Sequence, residues 1–294
     1  MKKKKIDNSN MIRKSTRRWA PLFLWPMFAA FCIGFVWPFA QGLFLSFTKF
    51  KTTSKWTWVG LQNYVKAFAD ESFRYSFGYT AVYAIGSLVL INLLAFLIAY
   101  ALTQKIRGAN LFRTVFFMPN LIGGIVLGYI WNILINCVLS LAGEPLLALN
   151  KTAGYWGMII LMCWQQIGYM MIIYIAGLQS IPNELIEAAR IDGATPTQTL
   201  FQVKIPNVMP SITICMFLTL TNSFKLFDQN LALTGGDPNH ATEMLALNIY
   251  NNFYARSGAA WKGIGQAKAV VFCIMVIAIS MIQLKATRSK EVQQ

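Results

Sequence analysis

The stretch from Thr152 to Pro206 decides the fold: TAGYWGMIILMCWQQIGYMMIIYIAGLQSIPN (152–183), then ELIEAARIDGATPTQTLFQVKIP (184–206). The first part holds 32 residues without a charge; the second holds Glu184, Glu187, Arg190, Asp192 and Lys204 within 23 residues. A helix needs roughly 20 apolar residues to cross a hydrocarbon core of ~30 Å, so the first part reads as a membrane span. The second part is too polar to follow it into lipid. It reads as two short helices at an angle, held outside the membrane. Pro182 opens the first helix, with Asn183 as its candidate N-cap, and Glu184 and Glu187 sit in early turns where carboxylates suit the helix dipole. Gly193, following Asp192, is placed to take the left-handed conformation that ends a helix. Thr195, Pro196 and Gln198 give the second helix an N-cap, a first-turn proline and the far side of a capping box. Pro206 and Pro210 mark the return into the membrane.

The same alternation of apolar window and charged break runs through the chain. Windows of 30 uncharged residues separate Arg18 from Lys49, Arg74 from Lys105, and Arg113 from Glu144; 20 lie between Lys204 and Lys225, and 16 between Lys268 and Lys285. The last is long enough if the helix starts near Ile264 and its flanking lysines snorkel to the interface. The expected fold is all-α, a polytopic membrane protein with six transmembrane helices. The spans fall at about 20–47, 77–102, 114–138, 155–180, 206–226 and 264–284, with a surface loop at 181–205. They form one domain, 19–288, between a basic tail (1–18) and a short C-terminal tail (289–294).

Composition agrees. The chain of 294 residues is 56% hydrophobic and 13% charged, whereas soluble domains carry about 25% charged residues. The net charge is +15, from 26 Lys+Arg against 11 Asp+Glu. In a soluble protein that excess would suggest nucleic acid. On a membrane protein it suits loops facing anionic lipid and the cytoplasm, and no nucleic-acid partner is expected. Cys32, Cys137, Cys163, Cys215 and Cys273 are dispersed through apolar stretches with no CxxC or Cys/His ligand spacing. They read as reduced thiols packed against lipid or helices, rather than as a disulfide framework or a metal site.

Lysine and arginine set the orientation. With the N-terminus inside, sixteen of the 26 basic residues lie on inner segments and ten on outer ones, so both termini are expected in the cytoplasm. The first apolar stretch is longer than the 7–15 residues of a signal-peptide core, so a retained first helix is expected. The outer loop from Lys49 to Tyr75 is rich in aromatic residues: Trp56, Trp58, Tyr64, Phe68 and Phe73. Two readings stand for it, an interfacial segment in an aromatic belt or a contact surface for an external partner.

The segment Glu187-Ala188-Ala189-Arg190-Ile191-Asp192-Gly193-Ala194, followed by Ile205-Pro206 and Pro210, resembles the EAA loop of ABC importer permeases. The resemblance covers the whole chain and is to the carbohydrate type. Trp58–Tyr64 resembles the first outer loop of that type, and Phe112–Pro119 with Trp131 resembles its third helix. Phe224–Asp228, Leu233–Pro238, Thr242-Glu243 and Ile249-Tyr250, with Leu284–Arg288 at the end, are similar to the type that includes the larger maltose-transporter permease and the glycerol-phosphate and multiple-sugar permeases. Asp237 stands where that type usually has a third glycine. The resemblance implies a pore-forming subunit in a bacterial or archaeal cell membrane. It implies four kinds of partner: a second homologous permease, a cytoplasmic ABC ATPase dimer, an extracellular or periplasmic sugar-binding protein, and a carbohydrate substrate. It also implies that Glu187, Ala188, Ala189, Arg190, Asp192 and Gly193 form a coupling helix that docks on the ATPase.

What is missing bears on mechanism. No GxxxxGK[ST] phosphate loop occurs, and Gly263-Ile-Gly265 lacks the third glycine of a dinucleotide loop. The chain itself is therefore expected to bind no cofactor, with ATP and magnesium held by the ATPase partner. The single histidine, His240, falls in an outer loop and reads as solvated or structural. All 11 carboxylates fall outside the predicted span interiors. A proton-coupled carrier needs a titratable group in its path, and a membrane hydrolase needs a clustered nucleophile, base or metal set; neither constellation is visible. No catalytic residue and no metal ligand is expected. A carrier working alone remains the rival reading. The spans do offer neutral polarity beside aromatics: Gln165, Gln166 and Tyr169 with Trp164 on the fourth, Thr219, Asn222 and Ser223 with Thr221 on the fifth. They read either as polar glue between helices or as hydrogen-bonding partners for sugar hydroxyls. The resemblance favours the second use for Gln166, Tyr169, Asn222 and Ser223.

Overall fold

The computed structural model describes residues 8–288 except 105 and 257. Residues 1–7 of the expected basic tail and the whole of the expected C-terminal tail, 289–294, lie outside the described residues. Helix α1 (Asn8–Phe31) passes through a wider π-turn into α2 (Trp37–Leu45). A hairpin of β1 (Thr48–Thr52) and β2 (Lys55–Trp58) follows, then α3 (Gln62–Ala69) and the long α4 (Glu71–Leu102). Next come α5 (Ala109–Phe117), α6 (Gly124–Leu141) and α7 (Lys151–Gln179). The surface loop holds α8 (Asn183–Ile191), α9 (Pro196–Gln198) and α10 (Ile205–Asn207). The chain ends with α11 (Met209–Phe224), α12 (Asp228–Leu233), α13 (Leu245–Tyr250) and α14 (Ala259–Arg288).

Among the described residues, five helical segments are long and apolar enough to cross a membrane: Trp19–Leu45, Glu71–Leu102, Gly124–Leu141, Lys151–Gln179 and Ala259–Thr287. A sixth exists if Pro196–Asn207 and Met209–Phe224, bent by 69°, count as one span. The bend falls at Val208, between Pro206 and Pro210, where proline removes backbone donors.

The centre is the pair α4 and α7, against which α11 packs. On α4 the buried positions Ala84, Ser87, Ile91, Ala95 and Ala99 recur every three or four residues, one helical stripe of mostly small side chains. Small residues let membrane helices approach closely, which substitutes for the hydrophobic drive that lipid does not provide. Met158, Leu161, Met162, Met170, Met171 and Tyr174 of α7 fill the seam. Gly168 on the same helix is required by sterics: a β-carbon there would overlap the Phe116 carbonyl at the end of α5. Outward-facing side chains are apolar and exposed, as a lipid solvent allows; between Trp19 and Phe44 no side chain is buried. The five cysteines are all free, and Cys215 is buried with its thiol 3.7 Å from the Met170 carbonyl.

Four details depart from the sequence reading. The all-helical pattern is interrupted by the hairpin, whose register pairs Thr48 with Trp58 and Phe50 with Trp56. Asn63 on α3 closes it by donating to the Ser46 and Thr48 carbonyls at 2.9 and 2.8 Å. Asn183 is not a cap; Pro182 holds the N-cap position, and Asn183 is already helical. The final helix begins at Ala259, ahead of the 264 expected. Lys268, read as a snorkelling flank, is fully buried. Its ammonium donates to Asp70 Oδ2 at 2.7 Å and to Asn248 Oδ1 at 3.1 Å. Asn248 in turn donates to Glu243 Oε2 at 2.9 Å and Ser72 Oγ at 2.8 Å, and Asn251 donates to Glu243 Oε1. This buried charged brace ties the start of α4, α13 and α14 together, at the end of the bundle opposite the surface loop. Glu243 is therefore outside the spans, as its place in the sequence indicated, yet only 1% exposed.

Candidate functional site

Two sites are built by this frame. The first is the surface loop. Its helix α8 ends in two bonds made by a left-handed residue: Gly193 N–H to the Arg190 carbonyl at 3.1 Å and Ala194 N–H to the Ala189 carbonyl at 2.9 Å. Gly193 has φ +79°, a conformation that disfavours any β-carbon. The capping box then starts α9, with Gln198 N–H donating to Thr195 Oγ1 at 3.3 Å and Thr195 N–H donating to Gln198 Oε1 at 2.8 Å. Glu187, Ala188, Arg190, Asp192 and Gly193 are exposed and Ala189 is half-buried. Among the described residues, Glu187, Arg190 and Asp192 form no ion pair with one another. Their charges are thus available to an outside surface. Apolar side chains stand beside them uncovered: Ile191 is 86% exposed, Phe201 62% and Leu185 43%. Sequence reasoning passed over these three, although apolar residues inside a charged loop were the available signal. Ile186 faces the bundle and anchors α8 to it.

The second site is a small polar cavity of about 220 Å³ between α7 and the turn after α11. Gln166 and Met162 line it from α7, Asn222 from α11, Lys225 and Phe227 from the turn after it, and Asp228 and Gln229 from the start of α12. Asn222 Nδ2 reaches Gln166 Oε1 at 3.5 Å. Gln165 stands behind the wall: it accepts from Gln229 Nε2 at 2.8 Å and donates to the Ile122 carbonyl at 3.2 Å, holding the turn against α7. A neighbouring cavity of about 370 Å³ shares Phe227 and adds Tyr250, Phe253 and Tyr254. Their rings form a run, Phe227 to Tyr250 at 5.1 Å and Tyr250 to Tyr254 at 4.9 Å, and Tyr254 is 70% exposed. An amide-lined pocket beside an aromatic shelf can bind a polyhydroxylated solute by hydrogen bonds and by covering its apolar face.

The remaining expected residues are used otherwise. Thr219 and Ser223 are four apart on α11 and share its buried face. Ser223 Oγ lies 2.8 Å from Ser87 Oγ, and Thr219 Oγ1 accepts from Asn92 Nδ2 at 3.2 Å. Asn92 also accepts from the Tyr174 hydroxyl at 2.7 Å. This is polar glue between α4, α7 and α11. Tyr169 is half-buried and packs against the hydrophobic core. Phe227 and Tyr250 entered the sequence reading only within the resemblance, and Gln229 not at all, because the turn after α11 and the short helices α12 and α13 are too brief to give a period that indicates which way their side chains face. Among the described residues, no group of three His, Cys, Asp or Glu side chains is arranged to hold a metal ion.

Comparison with known proteins places this geometry. The family described as binding-protein-dependent transport system inner membrane component matches residues 107–286. The chain is 40% identical over 283 residues to a probable starch degradation products transport system permease protein of Thermoanaerobacterium thermosulfurigenes, covering 94% of this chain and 96% of that one. It is 34% identical over 267 residues to a multiple sugar-binding transport system permease protein of Streptococcus mutans, covering 88% and 91%. Among solved structures, it shares its fold with a chain of a bacterial ABC transporter involved in the import of the acidic polysaccharide alginate. The TM-score is 0.79 at 20% identity, over 95% of this chain and 99% of that one.

Proposed function

The chain belongs to the family of binding-protein-dependent transport system inner membrane components, and from that premise we propose that it is the permease subunit of an ATP-driven ABC importer for a carbohydrate. It is a transport component and not an enzyme. The observation that carries the reading is the surface loop: a helix turned out of the bundle, locked at Gly193, with unpaired charges and bare apolar side chains around it. A chain with no phosphate loop must take its work from outside, and such a loop is a place to receive it. The relatives named for starch degradation products and multiple sugars support a sugar or oligosaccharide as the cargo. The amide cavity and the aromatic shelf suit that chemistry. In this reading Gln166 and Asn222 touch the solute, while Thr219 and Ser223 hold the helices that carry them.

The loop lies on the cytoplasmic side with both termini. Residues 187–193 dock on one subunit of an ATPase dimer that binds the ATP and magnesium. A second, homologous permease completes the pathway, and a sugar-binding protein delivers cargo from the other side. Closure of the ATPases pushes α8; the push passes through the bend at Val208 to α11, and the cavity changes the side it opens to. The test is co-purification and uptake in the assembled transporter. Glu187→Lys is expected to lose the ATPase while the permeases still insert together. Recovery of wild-type amounts of ATPase with this variant overturns the docking role.

A further inference from the structure

A third feature shares no lining residue with the polar cavity and lies away from the surface loop. At the end of the bundle opposite the surface loop, α4 and α7 part to leave a cavity of about 500 Å³ whose walls include Arg74, Tyr75, Gly78, Tyr79, Lys151 and Tyr155. Arg74 and Lys151 are exposed. Among the described residues neither forms an ion pair; Lys151 Nζ sits 5.2 Å above the Tyr75 ring. Of the two carboxylates just before Arg74, Asp70 is taken up by Lys268 and Arg256, and Glu71, at the first position of α4, forms no ion pair among the described residues. Tyr79 is 9% exposed, and its buried hydroxyl has no hydrogen-bond partner. Its ring stacks on Tyr75 and meets Tyr155 edge-on, at 6.3 and 6.0 Å. The space beside Gly78 is empty to 4 Å.

The wall continues downward as a lipid-depth stripe. Val82, Ile85, Val89 and Leu93 follow at three- and four-residue steps on one face of α4, each 53–64% exposed. At 1.5 Å per residue the stripe spans roughly 16 Å, about half the thickness of a hydrocarbon core. Two unpaired cations and a wanting hydroxyl at interface level, above an apolar track one acyl chain long, match an amphiphile with an anionic head.

We infer that this groove binds an anionic phospholipid, its phosphate between Arg74 and Lys151 and one acyl chain along Val82–Leu93. Tyrosines suit that depth because their rings are apolar and their hydroxyls polar. A docked protein face would need to be apolar over the whole stripe and anionic only at its end.

The test uses the assembled transporter in detergent. Native mass spectrometry follows binding of added phosphatidylglycerol and, separately, phosphatidylethanolamine. Two variants probe the two halves of the site: Arg74→Gln with Lys151→Gln for the head, and Gly78→Leu, which fills open space, for the groove. Phosphatidylglycerol is expected to bind preferentially, with the double variant about thirtyfold weaker and binding by Gly78→Leu also reduced, all with subunits retained. Equal binding of both lipids, or unchanged binding by the variants, overturns the site. Displacement of the lipid by inorganic phosphate at matched concentration makes it a free-anion site. Loss of the second permease from Gly78→Leu makes it a protein interface. Either result also overturns the proposal.

Discussion

At the residue scale, Gly193 and Asn222 show how different kinds of evidence reach a side chain. Gly193 was legible because its chemistry is local: a glycine after a helix, followed by a capping box, has one comfortable conformation, and the structure has it at φ +79°. Replacing it with alanine forces a β-carbon into that conformation at a cost of ~1–2 kcal/mol. Gly193→Ala is expected to lower sugar-stimulated ATP hydrolysis by the assembled transporter severalfold while expression stays near wild type; unchanged coupling would remove the helix end from the coupling device. Asn222 was legible only as one of several polar positions on a span. The structure separates it from Ser223, its neighbour, because successive helical residues point about 100° apart. Asn222→Leu is expected to raise the apparent KM for uptake at least about fivefold, the loss of one or more hydrogen bonds. Ser223→Ala should leave KM near wild type and act on thermal stability. The reverse pattern would exchange their roles.

At the element scale, the brace joining α4, α13 and α14 is the part the sequence hid. Lys268 ended a charge-free window, and a terminal lysine on a span usually snorkels. It does not, because Asp70, 198 positions earlier in the chain, caps α4 through the Ser72 N–H and turns its other oxygen to the ammonium. Asp70→Asn leaves a buried cation without its counter-charge and is expected to destabilise the fold by ~3–5 kcal/mol. Thermal unfolding of the purified transporter checks this, and a shift of less than a few degrees would sink it. Burial works to raise the Asp70 carboxyl, but the hydrogen bond and charge of Lys268, the Ser72 N–H and Arg256 hold it below its ordinary 3.8. A depressed carboxylate contributes stability that is whole above the unfolded value and is lost as pH falls through the folded one. The brace is therefore expected to hold from neutral pH down to about 4 and to weaken below it. Asp70→Asn should flatten that acid limb of the melting curve.

At the scale of the whole molecule, the reading predicts dependence on partners. The purified chain in proteoliposomes is expected to move no sugar. Uptake should appear only with the second permease, the ATPase, the binding protein and ATP together. Transport by the chain alone would decide for the rival reading, a solitary carrier. The sequence by itself determined the helical membrane fold, the loop and the family, because uncharged windows, caps and turns depend on neighbours a few residues apart. It could not assign the direction of each polar side chain, the hairpin after α2, or the burial of Lys268 and Glu243. Those depend on which helices meet, and a charge or an amide is stable in a bundle only where the opposite helix supplies its partner. That pairing joins residues separated by up to 198 positions, and only the tertiary structure decided it.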